Sequence, residues 1–219
     1  MKSTITALVL VAAAGLAQVV QAASITLFNT GVDASSAVLP DSTIGDPHYS
    51  LLTVPLGSTT AIRIITSAGG FPIPPYIGDN SFSRWIGPNN DSDLNGPVGN
   101  YTYRTTFDLS GYVFGSASII GGWSTDNAGV DILINGSSLG FTTSFTQFAS
   151  GFSPFSVVSG FVAGTNTLDF VVNNGGGPTA LRVEMSGSAD LASTVPEPMS
   201  LALVAVALAG LALSRRKAC

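Results

Sequence analysis

Between Ala23 and Val195, no stretch of about 11 residues or more repeats its apolar side chains at helical spacing, whereas several alternate with a period of two. That property confines the chain to sheet structure. The clearest run is Tyr101-Thr-Tyr103-Arg-Thr105-Thr-Phe107-Asp-Leu109, whose odd positions would face a core while Arg104 and Asp108 face water. Further strands are expected at 24–28, 49–54, 60–66, 116–122, 129–134, 155–162, 167–172 and 180–186. These put Leu168, Phe170 and Val172 on one face of a strand, and Leu181, Val183 and Met185 on one face of another. Asn135-Gly136 after Val130–Ile134 signals a tight hairpin, because a type I′ turn needs positive φ at both central residues. Gly fills 23 of these 173 positions, about 13% against an average near 7%, which suits many short strands joined by turns. No internal repeat is present, so solenoids and propellers are excluded and the expected class is an all-β sandwich. Residues 29–99 resist the same reading, since Pro40, Pro47, Pro55, Pro72, Pro74 and Pro75 interrupt the alternation.

The two ends of the chain do not belong to that domain. Lys2 is followed by an apolar run from Ile5 to Ala17 and then by Val19-Val20-Gln21-Ala22-Ala23-Ser24. This is the charged, apolar and small-residue order of a secretory signal peptide, with cleavage expected after Ala22. At the other end, Pro196 and Pro198 flank Glu197, and Met199–Leu213 is apolar throughout before Arg215, Arg216 and Lys217. A helix over 199–213 spans about 22 Å against a hydrocarbon core of about 30 Å, a short span that its basic end can complete by snorkelling. A basic cluster after a membrane helix marks the cytoplasmic side, so the domain is expected on the far side of the membrane. The domains are therefore 1–22 signal peptide, 23–193 β-sandwich and 194–219 tail.

The tail resembles the PEP-CTERM sorting signal of Gram-negative bacteria. The resemblance implies export across the inner membrane, transient anchoring, and processing by an exosortase-type membrane transpeptidase. Pro196, Glu197 and Pro198 would be the recognition motif, and Arg215, Arg216 and Lys217 the basic stop. It also implies a cell-surface or matrix protein tied to exopolysaccharide and biofilm. A permanent tail anchor is the alternative.

The 173 residues between the two end segments carry four cations, Arg63, Arg84, Arg104 and Arg182, against twelve acids, a net charge of −8. Without lysine, that balance argues against nucleic acid or anionic lipid as a partner, because those ligands need cations that displace their counterions. The same stretch has no Cys, which removes disulfides, thiolate chemistry and Cys-based zinc sites.

Ser83-Arg-Trp-Ile86, the run 101–109, Gly122-Trp-Ser-Thr-Asp-Asn127, Ile134-Asn-Gly136, Gly164-Thr-Asn-Thr-Leu-Asp-Phe170 and Leu181-Arg-Val-Glu184 together resemble the jelly roll of galactose-binding-like domains. Such modules bind carbohydrate at one end of the sandwich and are generally not catalytic, so extracellular polysaccharide is the implied partner. Sugar sites pair an aromatic face with amide or carboxylate oxygens, which makes Trp85, Trp123, Tyr76, Asp126, Asn127, Asn173 and Asn174 the candidates, with a place in the core the leading reading for Trp123.

Calcium is the one cofactor the sequence raises. Asp91, Asp93 and Asn95, followed by Gly96, reproduce the first oxygen donors and the turn glycine of a calcium loop, although Thr102 stands where the bidentate Glu belongs. A solvated Asp/Asn-rich turn is the competing reading. Catalysis finds no support: Gly136-Ser-Ser-Leu-Gly140 sits in a hairpin with the only His, His48, upstream, and Glu184 is the one Glu of the sandwich. The alternative to glycan binding is a structural or adhesive matrix protein, marked by an open sheet edge or an exposed aromatic patch.

Overall fold

The computed structural model describes residues 21–192 together with 207–208. Eleven strands form two antiparallel sheets: β1 Ala22–Ser24, β2 Ser50–Thr53, β3 Ile62–Ile65, β4 Trp85–Pro88, β5 Gly99–Asp108, β6 Ser118–Asp126, β7 Ala128–Ile134, β8 Ser137–Ser138, β9 Ser153–Val157, β10 Thr165–Asn174 and β11 Ala180–Asp190. One sheet runs β3-β4-β11-β6-β9, with β1 also paired to β11; the other runs β2-β5-β10-β7-β8. From β5 to β11 the chain crosses between the sheets at almost every connection, the connectivity of a jelly-roll sandwich.

The alternation that points to sheet in the sequence is realised residue by residue. Tyr101, Tyr103, Thr105, Phe107 and Leu109 are all buried, and so are Leu168, Phe170 and Val172 on the strand beside them. Arg104 and Asp169 meet on the outward face as a bidentate pair at 2.7 Å. Leu181 and Val183 enter the core from the facing sheet, and Met185 packs at its margin. Trp123 lies between the sheets against Phe170, with ring centroids 6.0 Å apart. It fits because position 129 is glycine: a Cβ there would sit 2.7 Å from Trp123 Cζ3. The β7–β8 hairpin turns through Asn135 and Gly136 at φ of 50° and 80°, as the Asn-Gly pair requires.

The proline-rich region supplies three strands, β2 to β4. β4 lies outside the expected set because its four residues, Trp-Ile-Gly-Pro, do not alternate; all four are buried, sealed by β3, β11 and the loops over them. Strand β6 extends four residues beyond its expected end, since Trp123–Asp126 pairs with Ala180–Val183 although every one of its side chains is buried. Such two-sided burial erases the polar/apolar rhythm.

Candidate binding site

Three turns converge where β6 passes to β7, where β10 passes to β11, and where the loop 66–84 folds back over the sheet edge. Asp126 and Asn127 occupy the first turn and Asn173, Asn174 and Gly175 the second, and the strand pairing of Asn173 with Ala128 sets them side by side. Tyr76 descends from the third and donates its hydroxyl to Asp126 Oδ2. Asp126 Oδ1 accepts from Asn127 Nδ2 at 2.7 Å, and Asn127 Oδ1 accepts from the Gly175 amide at 2.6 Å. Burial pushes the Asp126 carboxyl up to about 6, the Tyr76 hydrogen bond offsetting part of the rise. The Tyr76 hydroxyl is pushed up as well, first by burial and then by its carboxylate partner.

The candidates named from sequence separate into two kinds. Trp85 and Trp123 are both 0% exposed, so neither presents a ring face to solvent: Trp123 takes the core place, and Trp85 is corrected from a sugar platform to a core residue. Trp85 instead holds the third turn, donating Nε1–H to the Ile77 carbonyl at 3.0 Å and meeting the edge of Tyr76. Asn174 is likewise fully buried; its amide donates to the Gly96 carbonyl at 2.7 Å, and its oxygen accepts from Gly176, so it ties two loops together. Asp126 and Asn127, 2% and 6% exposed, form the floor. Asn173 is half-buried and donates to Asn100 Oδ1 at 2.7 Å. Tyr76, half-buried, stacks on Phe148 at 4.5 Å between centroids.

One residue absent from the sequence-derived set completes the arrangement. Phe145, in the loop between β8 and β9, is 58% exposed and its ring lies over Gly175. A Cβ at position 175 would stand 2.8 Å from Phe145 Cε2, so the missing side chain is what lets the ring settle beside Asn127. The loop 139–152 carries four phenylalanines, Phe141, Phe145, Phe148 and Phe152, and nothing in their order singles out Phe145. The result is an exposed aromatic ring beside the Asn127 amide, which is itself hydrogen-bonded to the Asp126 carboxylate.

The Asp91 loop folds as an Asx turn. Asp91 Oδ1 accepts from the Asp93 and Asn95 amides at 2.9 and 3.1 Å, and Oδ2 accepts from Asn95 Nδ2 at 2.9 Å. Burial alone would raise this carboxyl, but the Asn95 amide and the two backbone donors hold it below the usual carboxylate range. Both oxygens are thus directed at the loop's own donors, and Asn95 presents a donor to Asp91 where a calcium loop would present an acceptor. Leu94, fully buried at φ 59°, anchors the turn to the sandwich. As folded, the loop's donors are spent on one another, and among the described residues no group of three or more His, Cys, Asp or Glu side chains could hold a metal.

A second concavity, about 640 Å³, lies on the outer face of β6 and β11 between Phe82, Ile120, Pro154 and Glu184. Its carboxylate is already engaged: Glu184 Oε1 accepts from Asn80 Nδ2 at 2.6 Å and from the Ser83 hydroxyl at 2.7 Å.

Pro196, Glu197, Pro198, Arg215, Arg216, Lys217 and the expected membrane helix over 199–213 fall outside the described residues. Among those described, no helix is long and apolar enough to cross a membrane. The PEP-CTERM protein-sorting motif matches residues 194–217. The tail is therefore a sorting signal, which directs the chain to export and to the cell surface. No curated protein matches the chain. Two solved structures are similar to parts of it. The CBM36-1 domain of a multidomain xylanase from the hindgut metagenome of Trinervitermes trinervoides is 16% identical over 54% of this chain and 86% of that one, with a TM-score of 0.32. A family 35 carbohydrate-binding module from an environmental isolate is 15% identical over 48% of this chain and 77% of that one, with a TM-score of 0.28.

Proposed function

We propose that this exported protein is a non-catalytic glycan-binding module, processed by an exosortase-type transpeptidase and presented at the cell surface to the exopolysaccharide of a biofilm. The observation that carries the reading is the ring of Phe145, exposed beside Asn127, whose side chain binds both the Gly175 amide and the Asp126 carboxylate. A pyranose stacks its C–H face on an aromatic ring and hydrogen-bonds through its equatorial hydroxyls to amides and carboxylates at the rim. Asn173 and Asn100 spend one donor and one acceptor on each other, which leaves the Asn173 carbonyl and the Asn100 NH2 group facing solvent as rim partners. Tyr76 and Asp126 hold the floor in place and touch each other rather than the ligand.

The test is binding of the exported chain to the producing organism's exopolysaccharide and to a glycan panel, with the variants Phe145→Ala and Asn173→Ala. Saturable binding that both variants abolish while the thermal midpoint holds supports the reading. Binding unchanged by either variant sinks it. The competing reading, an adhesive matrix component, draws on the free edge strand β2, where Leu52 and the nearby Leu56 are 51% and 101% exposed. It predicts self-association without any glycan.

A further inference from the structure

The first and last strands of the sandwich are partners: Ala22–Ser24 runs antiparallel to Ser188–Asp190. The segment before β1 and the sorting motif after β11 therefore leave the fold from one end. Strand β11 begins at Ala180, opposite Asp126 in the candidate site, and ends at Asp190. Ten residue steps at about 3.4 Å separate the exit end from the glycan loops by about 35 Å.

The exit end has its own surface chemistry. Val113 and Phe114 are each 45% exposed and Leu191 is 44% exposed. Their backbones are fastened together: the Val113 amide donates to the Asp190 carbonyl at 2.8 Å, the Ala192 amide donates to the Gly111 carbonyl at 2.9 Å, and Tyr112 bridges Leu191. Val158, 69% exposed, follows β9 at the same end, because Val157 pairs with Ile119 at the start of β6. Asp108 and Asp190 also stand there, whereas none of the four arginines of the sandwich does.

Only residues 193–198 separate Ala192 from Met199, where the apolar run of the sorting tail begins. Those seven Cα steps reach about 25 Å at full extension, and the headgroup layer occupies about 5–8 Å of that. A tail seated in a bilayer thus holds the exit end within about 20 Å of the lipid surface.

We propose that the exit end is a lipid-contact surface: while the sorting tail is embedded, Tyr112, Val113, Phe114 and Leu191 seat in the headgroup layer of the same bilayer and stand the sandwich upright. Aromatic and branched aliphatic side chains favour that layer, and a patch this small binds durably only when a second anchor keeps it there. The embedded tail is that anchor. Its removal releases the domain, because the patch alone does not retain it. The two carboxylates and the absence of nearby arginine select zwitterionic over anionic lipid. The proposal rests on the sorting motif and is independent of glycan binding.

The test uses the full exported chain with its tail intact, recovered from a host without exosortase and reconstituted in phosphatidylcholine vesicles. Phe114→Trp places a reporter in the patch, and Leu56→Trp places one near the loop end. Trp85 and Trp123, both fully buried, contribute the same background to each. A ring about 5–10 Å inside the interface lies within reach of brominated acyl chains, so the emission that Phe114→Trp adds to the wild-type background should fall about twofold in brominated lipid while the emission that Leu56→Trp adds stays constant. If Phe114→Trp shifts the thermal midpoint, Val113→Trp takes its place. Weaker quenching when phosphatidylglycerol is added supports the lipid preference. Equal quenching of the two reporters overturns the proposal, as does quenching that appears only in vesicles containing exosortase, which would make the partner a protein.

Discussion

Asp126 should make the fold less stable as pH rises through the weakly acidic range, and Asp126→Asn should remove that dependence. Its carboxyl titrates near 6 in the folded chain against 3.8 when solvated. The fold therefore holds this proton more tightly than the open chain does. The stability that comes with it is complete below about 3.8, is lost as pH climbs toward 6, and is flat beyond. At 1.36 kcal/mol per pH unit the ceiling is about 3 kcal/mol, and water at the loop end screens it to about 2 kcal/mol. For a domain of this size that is a fall of about 4–8 °C in Tm between pH 4 and pH 7. Asn has nearly the same shape and no charge, so hydrogen-bond differences shift the whole curve vertically without altering its slope. Asp46, buried and also raised by desolvation, contributes to the wild-type slope, so the difference between wild type and variant isolates Asp126. The assay is urea unfolding of both proteins across that range. Parallel curves would show that Asp126 titrates as a solvated carboxylate and would refute the argument that burial raises it.

Other perturbations separate core from site. Arg182 is 0% exposed and donates to the Ser83 hydroxyl and to the Gly78 carbonyl, both at 2.7 Å, so Arg182→Ala should cost about 3–5 kcal/mol in urea unfolding by leaving those groups buried and unpaired. Gly129→Ala drives a methyl into Trp123 and should cost about 1–3 kcal/mol, whereas Gly136→Ala, with open space around it, should cost only the strain of its φ of 80°, about 1 kcal/mol; equal losses would contradict the packing argument. Because both Asp91 oxygens face the loop's own donors, millimolar calcium and EDTA should give the same Tm, and a calcium-dependent rise would return the loop to the metal-binding reading. Trp123→Phe should lower the thermal midpoint and leave glycan affinity per folded molecule unchanged, the reverse of Phe145→Ala.

The sequence by itself determined the class of fold, the outward and inward faces of β5, β10 and β11, the Asn135-Gly136 hairpin and the sorting tail. Each of these is written in local order: a period of two, a turn dipeptide, a proline-flanked Glu before an apolar run and a basic cluster. It did not disclose β4 or the last four residues of β6, since strands buried on both faces carry no alternation. Nor did it distinguish which aromatics would meet solvent. Trp85 and Trp123 have the composition of sugar platforms, yet the core claims them because large apolar area is worth most between sheets. Phe145, in a loop without periodicity, is left exposed because Gly175, thirty residues away in sequence, has no side chain to displace it. Tertiary structure alone decided that Asp126, Asn127, Asn173 and Tyr76 would meet, since three connections far apart in sequence reach the same end only when the sheets close. It decided equally that the first and last strands would pair at the other end, which sets the candidate-site loops one strand length from the sorting tail.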